Sequence, residues 1–129
     1  MCLERLADFK VPDPGVGWKV FFADKDEPHI SGFFTCEYSV FYEWLPENWY
    51  RIDNIETLLA YGRDEISIQQ YLIGFHVFLN KDDAEGFWES YENTFILPVR
   101  FRYIVATGYQ DDKKVVVAKE MMILAEEDL

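Results

Sequence analysis

A chain of 129 residues in which half the residues are apolar and 18% aromatic can build one dense hydrophobic core, so intrinsic disorder is excluded. No apolar run reaches the ~18 residues of a membrane span. Against 24 Asp plus Glu stand only 12 Lys plus Arg, and the resulting charge of −12 repels nucleic-acid phosphates and anionic lipid surfaces while suiting a basic protein partner.

The opening Met-Cys-Leu-Glu-Arg-Leu-Ala-Asp carries charges where a signal peptide needs an apolar stretch, which predicts a cytoplasmic protein. In that reducing setting Cys2 and Cys36 are expected as free thiols. Pro12-Asp13-Pro14-Gly15 predicts a turn, followed by a short strand in which Trp18, Val20 and Phe22 share one face. Asp24 to Pro28 reads as a charged loop and Phe33 to Val40 as a second strand, the two strands pairing as a hairpin. Trp44 to Arg51 is an aromatic connection without a regular period, and Asn54 is placed to cap a short helix through Ile55, Leu58 and Leu59 that Gly62 ends.

From Leu72 to Leu79 the residues Ile73, Phe75, Val77 and Leu79 form one apolar face, with Leu72, Gly74, His76 and Phe78 on the other, predicting a central strand. Asn80 then caps a helix with Asp82 and Asp83 at the positive end of its dipole, and Ala84, Phe87, Trp88 and Tyr91 repeat along one side. Val99, Phe101, Tyr103, Val105 and Thr107 alternate with Arg100 and Arg102, and the run Val115 to Leu124 returns as the second arm of a hairpin. A three-residue loop at Gln110 to Asp112 puts Arg102 opposite Glu120, and the tail Glu126-Glu127-Asp128 is expected to fray. Strands with helices inserted and no regular βαβ alternation predict a single acidic domain over residues 1–129, of the α+β class: a mainly antiparallel twisted sheet with one or two short helices packed on it.

The opening Met-Cys-Leu, Gly17-Trp18-Lys19-Val20-Phe21, the Gly74-Phe75-His76-Val77-Phe78 strand, the Asp83-Ala84 helix and the closing Val115-Val116-Val117-Ala118-Lys119-Glu120-Met121 together resemble short uncharacterised proteins encoded by phages and prophages. The resemblance leaves out residues 24 to 70. It brings no assigned catalytic residue with it.

Several groups are candidates for chemistry. His76, on a strand beside Gly74, can line a cleft, and Arg100 and Arg102, two residues apart on one side of a strand, can clamp a phosphate or carboxylate; these three are the candidate ligand-binding residues. Satisfied core packing for the histidine and ion pairing for the arginines are the structural alternatives. Asp24-Lys25-Asp26-Glu27-Pro28-His29 gathers carboxylates and an imidazole, but it lacks the spread of an EF-hand and the second His or Cys pair of a zinc site, so no metal is expected. Gly15-Val16-Gly17 precedes a strand rather than following one, which rules out a phosphate loop, and no nucleophile elbow occurs. Neither a catalytic residue nor a cofactor is predicted. Phe41, Tyr42, Trp44, Trp49 and Tyr50 crowd ten residues among acids, so Tyr42, Trp44, Trp49 and Tyr50 are candidate anchors for a protein partner, with core packing the competing account.

The leading expectation is a non-enzymatic acidic interaction protein, phage-encoded as the resemblance implies, that inhibits a host nucleic-acid-binding or defence protein through its anionic surface. One alternative is a nucleotide-binding domain in which His76, Arg100 and Arg102 face one pocket. A more distant one is an enzyme ordered like the ADP-ribosyltransferases, with His76 and Glu120 orienting substrate.

Overall fold

A computed structural model describes residues 3–23, 30–32, 48–53, 57–61, 68–88, 94–110 and 112–124. Outside them lie the Asp24–His29 loop, the expected strand at 33–40, Tyr42, Trp44, Asn54 and Ile55, Gly62, Tyr91, both cysteines and the acidic tail.

Nine strands and one helix occur among the described residues. They are β1 (Arg5–Leu6), β2 (Gly15–Ala23), β3 (Ile30–Gly32), β4 (Trp49–Arg51), β5 (Thr57–Tyr61), β6 (Ile68–Leu72), β7 (Phe75–Phe78), α1 (Lys81–Trp88), β8 (Thr94–Gln110) and β9 (Lys113–Ile123). Every pairing is antiparallel, so the mainly antiparallel sheet anticipated above is observed, with one short helix on it. No helix among the described residues is long and apolar enough to cross a membrane.

The sheet closes on itself. β8 is long enough to pair with β2 along residues 94–101 and with β9 along 99–110; β9 pairs in turn with β7, and β7 meets β2 through Trp18 opposite Phe78. β1 extends the β8 edge, β4 the β9 edge and β3 the β2 edge, while β5 and β6 form a separate hairpin. Glycine permits the tightest crossing: a Cβ on Gly17 would stand 2.5 Å from Val77 Cγ1 and 2.6 Å from the Phe78 carbonyl oxygen.

Closure creates two apolar layers. Val77, Val99, Phe101, Val116, Ala118, Met121 and Ile123 fill the inside, and Val20, Phe78, Val115 and Val117 pack on the outside with Leu3, Tyr71 and Ala84 of α1. Strands buried on both faces read as near-continuous apolar runs, which is why Val115 to Ala118 lacks alternation. α1 begins at its expected cap, the Asn80 carbonyl accepting the Ala84 N–H at 3.2 Å.

Three local expectations are corrected. The segment around Leu58 and Leu59 is not a helix: Thr57–Tyr61 pairs residue for residue with Ile68–Leu72, and this cross-strand ladder outweighs a short helix of few turns. The single strand expected from Leu72 to Leu79 is two strands parted at Ile73-Gly74, where Gly74 passes so close to β9 that a Cβ would meet the Ala118 carbonyl oxygen at 2.7 Å. The hairpin turns tighter than a three-residue loop, with Gln110 already opposite Lys113, but a shift of register between Ile104 and Ala106 absorbs one residue. Arg102 therefore does lie opposite Glu120.

Candidate functional site

Two polar clusters are built on these strands, one buried and one on the outer face. The buried cluster starts from Lys19, whose neighbours Trp18 and Val20 point outward and which therefore points inward; it is 0% exposed, and its Nζ donates to the His76 carbonyl oxygen at 2.8 Å. Burial pushes its ammonium well below the ordinary lysine value, since a charge in a low-dielectric interior is disfavoured.

His76 itself is buried on β7. Its Nδ1 lies 3.1 Å from the Gly74 carbonyl oxygen, which can only accept, so Nδ1 carries the hydrogen. In the neutral ring Nε2 is then the acceptor for the Tyr71 hydroxyl at 2.9 Å, and that hydroxyl oxygen accepts the Leu3 N–H at 2.9 Å. The result is a directional chain of hydrogen bonds from Leu3 through Tyr71 and His76 to Gly74, in which each group has a partner.

The outer cluster follows from register. Val16 pairs with Arg100, Arg100 with Met122 and Met122 with Trp49, making one cross-strand row; Arg102, Glu120 and Arg51 make the next. Glu120, 7% exposed, accepts from Arg102 Nη2 at 3.0 Å and Nε at 3.2 Å, and from Arg51 Nη1 at 3.4 Å. Arg51 also donates to Asp53 at 2.6 Å, and the Arg102 guanidinium carbon sits 3.8 Å above the Trp49 ring. Both guanidiniums are held more firmly protonated, Arg102 chiefly by its bond to Glu120 and Arg51 chiefly by its bond to Asp53. Next to Glu120 on β9, Lys119 donates to the Ile73 carbonyl oxygen at 2.7 Å; its ammonium is pushed down by partial burial and then by the charge of Arg51.

Beside these arginines stands Tyr103. Its φ of 60° is a left-handed conformation that bulky side chains rarely adopt, and the Asp13 carboxylate holds it by accepting the N–H groups of Tyr103 and Ile104, both at 3.0 Å. The ring lies 5.5 Å from the guanidinium carbon of Arg102 and 5.9 Å from that of Arg51.

Of the residues singled out in the sequence, Arg100, Arg102 and Trp49 thus share one face. His76 does not join them: its ring is engaged by Tyr71 and Gly74, so the three proposed ligand residues do not face one pocket. Tyr50, one residue from Trp49, points the other way and packs against the inner core. Tyr42 and Trp44 fall outside the described residues. Sequence reasoning missed Lys19, Arg51 and Tyr103. Lys19 carried a signal, since strand alternation puts it on the face opposite Trp18 and Val20.

Among the described residues no three His, Cys, Asp or Glu side chains gather where they could hold a metal ion. Comparisons with family models, curated proteins and solved structures find no match to this chain.

Proposed function

We infer that the protein works by binding: a non-enzymatic acidic interaction protein whose anionic surface engages a basic protein, with host nucleic-acid-binding or defence proteins the partner class that the resemblance to phage-encoded proteins implies. The observation that carries this reading is the charge of −12, combined with the exposure of Asp8, Asp53, Asp82, Glu85 and Asp112 on the described surface. Carboxylates displayed outward attract the Lys and Arg side chains that nucleic-acid-binding proteins present to phosphates. The groups best suited to catalysis are meanwhile engaged in holding the fold together, His76 by Tyr71 and Gly74 and Glu120 by two arginines.

The test is capture of lysate proteins on the immobilised chain at low and at raised salt, with duplex DNA as competitor. Nucleic-acid-binding proteins released both by salt and by DNA are the expected result, because screening and competition remove the same contacts. Capture that persists unchanged at raised salt, or no capture, refutes the electrostatic reading.

A further inference from the structure

The outer face of β2, β8, β9 and β4 gathers three arginines, Arg51, Arg100 and Arg102, in an acidic chain. Arg100 is exposed in the middle of this face and its side chain has no hydrogen-bond or ion-pair partner among the described residues, in a chain with twice as many acids as bases. Beside it Arg102 is fixed from two sides, by Glu120 on Nε and Nη2 and by the Trp49 ring, and its Nη1 bonds to none of the described residues. Three carboxylates lie near, and each already accepts from the face itself: Glu120 from both arginines, Asp53 from Arg51, Asp13 from the Tyr103 and Ile104 N–H groups. Of the three arginines, Arg100 is the one without such a partner among the described residues.

Tyr103 supplies the second observation. Its positive φ places the ring beside Arg102 and Arg51, where regular strand alternation would send it to the opposite face, and 56% of the residue is exposed. Glycine would occupy this backbone without strain, and an exposed ring contributes little to the core, so stability alone does not account for tyrosine here. A strained, exposed aromatic flanked by fixed guanidiniums is a stacking surface with an anion clamp alongside.

We propose that this face binds a nucleoside monophosphate, with the base stacked on Tyr103 and the phosphate held by Arg100 and Arg102. Two residues of strand separate the arginines by about 7 Å, and Tyr103 adjoins them, a span that suits the base and phosphate of one nucleotide. Longer nucleic acids are disfavoured, since each added phosphate meets the field of a strongly anionic protein. The site is independent of the anionic surface invoked above.

The experiment is calorimetric titration of the full chain with adenosine monophosphate, with adenosine and inorganic phosphate as separate controls. The mononucleotide is expected to bind about tenfold or more tightly than either part alone, because stacking and charge act together. Arg100→Ala removes an exposed side chain and leaves folding intact; it should weaken mononucleotide binding about tenfold. Tyr103→Gly should weaken it by a similar factor while raising the melting temperature, a pairing of effects that loss of structure would not produce. Absence of mononucleotide binding, binding no tighter than that of inorganic phosphate, or an unchanged affinity in Tyr103→Gly would each overturn the proposal.

Discussion

Lys19 and Arg102 are both cations on the central strands, yet they are stabilised by opposite means. Lys19 points into the closed sheet, its Nζ bonded to a neutral carbonyl, and burial drives it toward the uncharged amine. Arg102 points outward and gains a carboxylate on two bonds and an aromatic face, which favour the charged form. The difference teaches that the direction of a cation relative to the closed sheet sets which form its surroundings favour, the neutral amine inside and the charged form outside, where a guanidinium keeps its proton in any case.

That contrast can be broken most severely at its wall. Gly17→Ala drives a methyl into Val77 and the Phe78 carbonyl, and a cost of about 3 kcal/mol in denaturant unfolding is expected. A variant as stable as the parent would show that β2 and β7 are less closely apposed than described. Tyr71→Phe comes next: without the hydroxyl, the buried Leu3 N–H and His76 Nε2 each lose a partner, for a loss of about 2 kcal/mol. An unaltered unfolding midpoint would argue that this chain of hydrogen bonds is not formed in solution.

Lys19→Met sharpens the comparison through pH. The lysine's folded value is depressed, so between that value and the ordinary lysine value the unfolded chain holds a proton that the folded chain lacks. Stability therefore rises with pH across this window, by at most about 1.4 kcal/mol per pH unit from this group, until the unfolded lysine itself loses its proton. Lys19→Met should flatten that rise; parallel pH profiles of unfolding for parent and variant would contradict the lowered lysine value. The smallest effect is expected at the outer face. Arg102→Lys keeps the charge but forfeits the bidentate bond and the stack on Trp49, so the melting temperature should fall by a few degrees, and less so in high salt. A salt-independent loss would locate its cause in packing.

What the sequence made legible was local. Alternation in Thr94–Gln110, the return run of valines and the charge pair Arg102 with Glu120 declared the hairpin, and Asn80 with Asp82 and Asp83 declared the helix. The loop length was misread, and the register nevertheless came out because the irregularity between Ile104 and Ala106 offset it. Illegible features were those set by partners far along the chain. Trp49–Arg51 is a strand because Glu120 to Met122 offers it an edge, and nothing within a local window announces that edge. Thr57–Tyr61 has the apolar spacing and terminal glycine of a helix, and only its pairing with Ile68–Leu72 makes it extended. The face joining Arg100, Arg102 and Trp49 needed both β8 and β4 to be placed on β9, and the turn of Tyr103 onto that face depends on Asp13, ninety residues earlier.

The closed circuit of strands has a consequence for how the chain assembles. Its longest ladder, β8 with β9, joins residues close in sequence, whereas β2 must find β8 across some eighty residues and meets β7 at the single pair Trp18 and Phe78. Local pairing forms at little entropic cost, so the hairpin is the natural nucleus and the N-terminal strand the late arrival. Amide hydrogen exchange would register that history in the finished molecule, with the slowest protons between β8 and β9 and the fastest strand protons where one rung fastens β2 to β7.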